Sequence, residues 1–440
     1  MTRGLRRTSR RFLHGLAIAA TVALLMHAPG TFAQDGSDGS VYSRFGIGEL
    51  QSYGSPQVVA MGGAGSALGG NRYANHMNPA ALAHRTLTGV AAGLSYETIQ
   101  ATDRFQNVGR LSNGTLKAIQ FSFPILTSQL GIGAGLEPFS TRRYRIQVED
   151  EFDDDGATIP YTVDFLGSGG IHKASVAAGL AVVDGVSVGL EGQMLFGLLE
   201  ESRATTFSQD GYAASTLTNS VRVRGFTARI GVLATIDGLR TETDQLSVGA
   251  QFTLPTSMFA KRVVMSGRAQ ERDTLLVFSD GEIDLPFSAS VGVAYAPSPR
   301  WLIVGDARYE PWTNFESTIP LPGYDPDGDS GLVDRTRVAA GFEFVPGGGN
   351  LLASYLLRTG YRLGFYFDPV YLTGGEASAN TIAITGGLSL PTRVNGTRVD
   401  LNLEVGTRGM PDVGLVRERF IRFGLNLNVG ERWFLKTRLG

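Results

Sequence analysis

Apolar and polar positions alternate strictly along the C-terminal part of the chain. Val399, Leu401, Leu403 and Val405 interleave with Arg398, Asp400, Asn402 and Glu404, and Ile421, Phe423, Leu425, Leu427 and Val429 interleave with Arg422, Gly424, Asn426 and Asn428. Successive side chains of a strand point to opposite faces, so each segment has one oily face and one wet face. Such segments of about ten residues recur from Leu87 to Val429, the length a tilted strand needs to cross a bilayer. A soluble sandwich also alternates but closes its oily faces on one another. The recurrence at this length predicts an all-β fold, an antiparallel transmembrane β-barrel.

The connections between segments also alternate, as they do when short periplasmic turns trade with longer outer loops. A segment over Leu87–Ile99 is followed by a polar loop, and one over Thr115–Ile125 by the tight Leu126-Thr127-Ser128. A third leaves Gln129 and enters an acidic loop near Glu149–Gly156; a fourth runs from Ile171 to Asp184-Gly185, an Asp-Gly hairpin signal. Further loops are read near Ser208–Thr218, Thr256–Asp284, Ile319–Leu332, Asp368–Ala379 and Gly409–Arg417. Further tight turns are read at Pro297-Ser298-Pro299, Pro346-Gly347-Gly348-Gly349 and Val394-Asn395-Gly396. The count is fourteen strands with both ends periplasmic.

Lipid-facing positions sharpen this reading, because an Arg or Lys there at mid-membrane costs about 2–4 kcal/mol. The outward sets Leu246, Val248, Ala250, Phe252, Leu254 and Phe287, Ala289, Val291, Val293, Tyr295 carry no charge. Trp301 and Tyr309 share the outward face of one segment, and at about 3.3 Å per residue and about 40° of tilt they lie roughly 20 Å apart. That is close to the height of an apolar band flanked by aromatic residues.

The N-terminus supplies the address. Arg3, Arg6, Arg7, Arg10 and Arg11 precede an apolar run from Leu16 to Met26, and Thr31-Phe32-Ala33 fits a cleavage site. Residues 1–33 therefore read as an export signal, with the general secretory route favoured over the twin-arginine route, and the bacterial outer membrane as destination. Removing them leaves 34 basic against 41 acidic residues, a net charge of −7. With no dense basic run, nucleic-acid binding is discarded. The chain has no cysteine, which excludes disulfides, thiolate metal sites and a lipoprotein anchor. Its 58 glycines fall within the alternating segments, where inward glycine suits close approach by a plug.

Residues 34–85 lack a spanning pattern. They begin with Val41-Tyr42-Ser43-Arg44-Phe45-Gly46-Ile47-Gly48-Glu49, continue through Ala60-Met61-Gly62-Gly63-Ala64-Gly65 and reach Asn78-Pro79-Ala80-Ala81-Leu82. Here the chain resembles the FadL/TodX family of outer-membrane hydrophobe transporters, especially the branch whose mature chains open with Tyr-Ser-Arg-Phe-Gly-Ile-Gly. The resemblance implies a fourteen-strand barrel, here over 86–430, plugged by an N-terminal hatch, here over 34–85; residues 431–440, with Trp433 and Phe434, read as a periplasmic tail at the membrane interface in preference to an extra short strand. It also implies passive transport of small hydrophobic molecules. Phe45, Met61, Asn78, Pro79 and Ala80 are the expected hatch and ligand-path residues. Physically, Asn78 can close an Asx turn ahead of Pro79.

Family resemblance further implies a sideways exit near the third strand. That strand carries Gly131, Gly133 and Gly135 at successive inward positions and then Pro138, which cannot donate to a ladder, so an inward kink is expected there. Inward charges Asp306, Arg308 and Glu310, with Arg337, Glu343, Arg358, Arg362, Arg398, Asp400, Glu404 and Arg408 on nearby strands, form an expected lumen network tying wall to hatch. The rival reading is a structural or secretion-associated barrel without solute transport. Catalysis finds no nucleophile arrangement around His172, and no metal site or cofactor is expected. Expected partners are outer-membrane lipid, a hydrophobic ligand, the barrel-assembly machinery during biogenesis, and, for the rival reading, secretion-system components.

Overall fold

The computed structural model describes residues 39–432 apart from 71–72, 155–156, 210, 269–270, 326–330, 375–376, 393–395 and 410–415. The export signal and most of the tail at 431–440 lie outside the described residues.

Fourteen antiparallel strands close into a barrel. In chain order they are β2 (Thr88–Thr102), β3 (Val108–Leu126), β4 (Leu130–Thr141), β6 (Ala157–Val183), β7 (Val186–Phe207), β8 (Ser215–Asp237), β9 (Gln245–Thr253), β12 (Ser288–Ser298), β13 (Trp301–Glu310), β15 (Arg335–Phe344), β16 (Gly360–Gly374), β17 (Ala377–Pro391), β18 (Arg398–Arg408) and β19 (Arg417–Glu431). Closure is made by β19 against β2, from Arg417 opposite Thr102 to Glu431 opposite Thr88. No strand edge is then left at that seam to recruit another chain.

The alternation seen in the sequence is the in–out alternation of this wall. Val248, Val293, Ile303, Leu403 and Phe423 face outward, while Asn402, Glu404 and Asn426 are buried inside. The expected aromatic bands form around Trp301 and Tyr309. Trp301 stacks on Phe344 at 4.2 Å near the short-turn, periplasmic end; at the other end Phe287 lies 5.3 Å from Phe252 and 6.2 Å from Tyr309.

Three connections differ from the sequence reading. The excursion Thr256–Asp284 contains a hairpin, β10 (Thr256–Arg268) and β11 (Glu271–Leu285), and β10 pairs with the outer half of β8. The acidic loop near Glu149 is also mostly strand: β5 (Tyr144–Asp154) pairs with β6, which begins at Ala157 and not at Ile171. In both places, polar residues alternate as well as apolar ones, because these strand ends rise above the membrane into water. Finally, the turn at Pro346–Gly349 is not followed by strand. Residues Leu351–Arg358 fold as a compact turn ending in a short helix, Tyr355–Arg358. Arg358 therefore leaves the expected lumen network and sits at the periplasmic end, where its carbonyl accepts from Arg398 at 3.2 Å.

Candidate functional site

The N-terminal segment lies within the barrel, and local chemistry shapes each of its turns. A 3-10 turn at Val41–Arg44 is capped by Ser40, a helix at Pro56–Ala60 is capped by Ser55 with Pro56 in the first turn, and a 3-10 turn at Pro79–His84 is capped by Asn78. Asn78 closes the Asx turn by accepting from Ala80 N at 3.0 Å. Its amide also donates to Ser66 O at 2.8 Å and to Val232 O of the wall at 3.0 Å, so one side chain fixes both the plug and its seat.

Wall glycines make room for this segment. A Cβ on Gly131 would stand 2.1 Å from Leu82 O, on Gly189 2.3 Å from Ala80 N, on Gly231 2.1 Å from Asn78 Oδ1, and on Gly249 1.9 Å from Ser66 O. Met61, Asn78 and Ala80 are fully buried in this contact, and Pro79 is buried with them. Phe45 sits apart, half-buried under an apolar cluster at the outer end that includes Ile47, Leu199, Met258, Ile283, Trp312 and Ile319. None of Phe45, Met61, Asn78, Pro79 and Ala80 lines either of the two larger cavities.

Many of the charges inside the barrel are paired. Arg362 donates to Glu343 at 2.6 Å and to Asp400 at 2.8 Å, and the hatch hydroxyl of Tyr73 donates to Asp400 at 2.8 Å while accepting from Arg362 at 2.7 Å. Arg335 joins Glu310 (2.6 Å) to Asp368 (2.7 Å), and Arg337 forms an ion pair with Asp368 at 3.1 Å and donates to the carbonyl of Gly62 in the N-terminal segment at 2.7 Å. Glu404 accepts from Tyr366 (2.6 Å) and Arg422 (2.8 Å). Asp306 accepts from the backbone of Gly65 and Ser66, both at 2.8 Å, and Arg308 donates to Ser52 at 3.2 Å. Arg408 holds Glu49 at 2.6 Å. Burial alone would raise the Glu49 carboxyl, but Arg408 and Arg422 outweigh it and hold the group below its ordinary range. Arg398 instead bonds Ser389 and Arg358 through hydrogen bonds.

Lys117, Arg422, Asp368, Tyr73 and Glu49 were not singled out in the sequence. Arg422 carries a signal, since it occupies a wet position of an otherwise oily strand. Lys117 carries little, because a register shift between Gly93 and Leu94 of β2 turns the facing part of β3 and sends Lys117 inward.

β4 separates from β3. Their pairing ends at Ile119 opposite Leu136, and a bulge at Pro138–Ser140 follows in the pairing of β4 with β6. The break in pairing and the bulge thus fall at Leu136–Ser140, whereas Gly131 and Gly133 lie against Leu82 and His76 of the N-terminal segment. The hatch fills the seam that results. β1 (Glu49–Leu50) pairs with β4, Glu49 opposite Thr141 and Leu50 opposite Ser140. Lys117 of β3 donates to Gln51 at 3.0 Å, and Arg143 donates to Gly114 O of β3 at 3.1 Å.

Two cavities flank the hatch residues Leu50–Tyr53. One, about 150 Å³, is lined by Lys117, Arg337, Asp368, Glu404, Arg408 and Arg422. The other, about 90 Å³, mixes Leu50, Phe139, Leu195, Leu285 and Trp312 with Glu137, Lys173 and Arg229. His172, considered above for catalysis, lies on the outward face with its ring 6.0 Å from that of Phe196.

Comparison with known proteins agrees with this architecture. The sequence profile of the family described as BamG matches residues 17–440. No curated protein sequence matches the chain. Among solved structures, the CymD monoaromatic hydrocarbon channel superposes with a TM-score of 0.53 at 16% identity, over 88% of this chain and 98% of its own. A Pseudomonas aeruginosa FadL homologue gives 0.54 at 12% identity, and the Pseudomonas putida toluene transporter TodX gives 0.53 at 15% identity, each over 88% of this chain and 100% of its own. At these identities the likeness establishes a shared fold, the closed antiparallel β-barrel.

Proposed function

This chain belongs to the BamG family, and from that premise we propose that it is a gated outer-membrane passage for small hydrophobic molecules, held shut at rest by its own N-terminal segment. The observation that carries this reading is the seam between β3 and β4. The wall's own hydrogen bonding stops at Leu136, and only a two-residue hatch strand and a few polar side chains bridge the rest. Withdrawal of Leu50–Tyr53 would join the half-apolar cavity to the seam and give a path into the membrane without breaking the barrel. A cavity of about 90 Å³ restricts the guest to a small molecule, not a long acyl chain. Nothing in the proposal requires energy beyond the guest's own gradient.

A second reading is favoured by the stapled plug. The Arg408–Glu49 ion pair and close-fitting wall glycines hold the N-terminal segment against the wall, and the name BamG points to the machinery that assembles outer-membrane barrels. In this reading the barrel serves assembly or secretion partners and passes no solute.

One experiment separates the two. Residues 50 and 140 face each other across adjacent antiparallel strands, at a separation of about 4.5–5.5 Å that a disulfide accommodates. Cells carrying Leu50→Cys with Ser140→Cys in this cysteine-free chain should take up a single-ring hydrocarbon when reduced and lose uptake when oxidised. Uptake equal in both states removes the gate. Uptake unchanged on deletion of the protein, with a fall in the level of other outer-membrane barrels, supports the second reading.

A further inference from the structure

The connection from β15 to β16, residues 345–359, is far longer than the tight turns after β3 and β6 at the same end of the barrel. It is also apolar where a periplasmic turn should be polar. Leu352 is 95% exposed, Leu351 75%, Leu356 66%, Tyr355 48% and Leu357 44%. Their exposure is not that of a frayed loop, because the backbone beneath them is well bonded. Gly347 N donates to Leu357 O at 2.7 Å, Leu352 N to Asn350 Oδ1 at 2.9 Å, Leu357 N to Ser354 O at 3.1 Å, and Thr359 Oγ1 to Tyr355 O at 3.1 Å. The turn is thus built to hold these side chains away from the protein. A cluster of ordered apolar side chains facing outward marks an interaction surface.

The position of the turn identifies what it meets. Trp301, Phe344, Tyr361 and Leu388 lie in one outward row across β13, β15, β16 and β17. Tyr361 reaches down from this row to donate its hydroxyl to Leu356 O at 3.4 Å. The turn therefore touches this outward row through Leu356, below the periplasmic aromatic band, while Arg398 bonds the Arg358 carbonyl at its other end. Its exposed leucines lie next to that outward row. Arg300 is exposed beside Gly348, and Arg358 ends the helix, so cationic groups stand at the level where lipid phosphates begin.

We propose that residues 350–358 form an in-plane anchor that inserts Leu351, Leu352 and Leu356 into the inner leaflet of the outer membrane, at the boundary of headgroup and acyl chain. Apolar area laid into that boundary binds without directional contacts, which matches a surface dominated by Leu351, Leu352, Leu356 and Leu357, with Asn350, Ser354, Tyr355 and Arg358 as its polar side chains. The anchor would also fix the depth and tilt of the β13–β17 side of the barrel relative to its lipid.

The absence of native cysteine makes the test direct. Leu352→Cys carries an environment-sensitive nitrobenzoxadiazole label, and Asp184→Cys, in the tight turn after β6, carries the same label as reference. Both full-length chains are refolded into vesicles of phosphatidylethanolamine and phosphatidylglycerol. The expected result is a blue-shifted emission at position 352 relative to 184, and its loss when the acyl chains are brominated. Emission at 352 as red as at 184, and insensitive to bromine, overturns the proposal. A label exposed in vesicles but shielded in isolated native membranes also overturns it, and assigns the surface to a protein neighbour.

Discussion

Arg362 and Asp400 meet at 2.8 Å inside the barrel, with side-chain exposures of 1% and 0%, although β17 runs between their strands. Gly387, opposite Arg362 on β17, instead makes room for Ala60 of the N-terminal segment, whose Cβ would stand 2.6 Å from a Cβ there. Tyr73 of the hatch bonds both partners. Removing one member of a buried pair strands the other charge, so Arg362→Met should cost about 3–5 kcal/mol. Tyr73→Phe removes only a hydroxyl shared with charged groups and should cost about 1.5–3 kcal/mol. The first should lower the temperature at which the folded band converts to the unfolded one in detergent gels; the second should chiefly speed proteolysis of the hatch. Equal behaviour of both variants and wild type would show that the network does not hold the plug.

A different prediction concerns space instead of charge. Gly249→Ala would place a methyl 1.9 Å from Ser66 O, a backbone atom that cannot move without dragging the hatch. Overpacking of this kind costs about 1–3 kcal/mol. Gly192→Ala, at an outward position with nothing within 4 Å, is the matched control and should change stability by less than about 0.5 kcal/mol. Urea midpoints for the two variants in lipid should therefore separate. Coincident midpoints would mean that the hatch adapts freely to the wall.

Alternation made the wall legible from Val399–Val429 backwards, because every spanning strand repeats the same two-sided environment and needs only local sequence to declare it. The hatch was legible through Asn78, whose Asx turn is also local. What stayed hidden depends on closure. Arg362 and Asp400 find each other through strand tilt and register, which no spacing in the chain encodes. Gly131 and Gly133 read as a bend because a flexible residue and a crowded one look alike in sequence, and their contacts with Leu82 and His76 appear only once the N-terminal segment is in place. Leu351–Leu357 read as strand because an apolar run bound for the membrane interface has the composition of one bound for its interior.

Protonation supplies a further test. Burial, reinforced by Arg85 and Lys173 and opposed by Glu191, holds the His76 imidazole down at about 4, against roughly 6.5 when the chain is unfolded. Below pH 6.5 the unfolded hatch takes up a proton that the seated hatch refuses. The stability contributed by neutral His76 is thus fully present above about pH 6.5 and is lost as pH falls towards 4, by at most about 3 kcal/mol. Proteolysis of the hatch by an acid-active protease should accelerate across that window. His76→Gln, of similar size and without a titrating group, should flatten the dependence. An equally steep profile in the variant would assign the effect to other groups.

The outward face gives a last prediction, in which depth decides the magnitude. Val293 lies outward near the middle of β12, flanked by Val248 of β9 and Gly305 of β13, and is 48% exposed in the absence of lipid. Arginine there would have to carry its charge through hydrocarbon, so Val293→Arg should cost about 2–4 kcal/mol. Trp301→Arg stands on the same face but at the periplasmic aromatic band, where the guanidinium reaches phosphate and the depth penalty falls to about 0–1 kcal/mol. The difference must come from the bilayer, because in detergent both arginines can find water at the micelle surface. Unfolding measured in phospholipid vesicles should therefore separate the variants, and in short-chain detergent the gap should narrow. A gap of the same size in both media would place Val293 against protein, and the outward face would no longer be a lipid face.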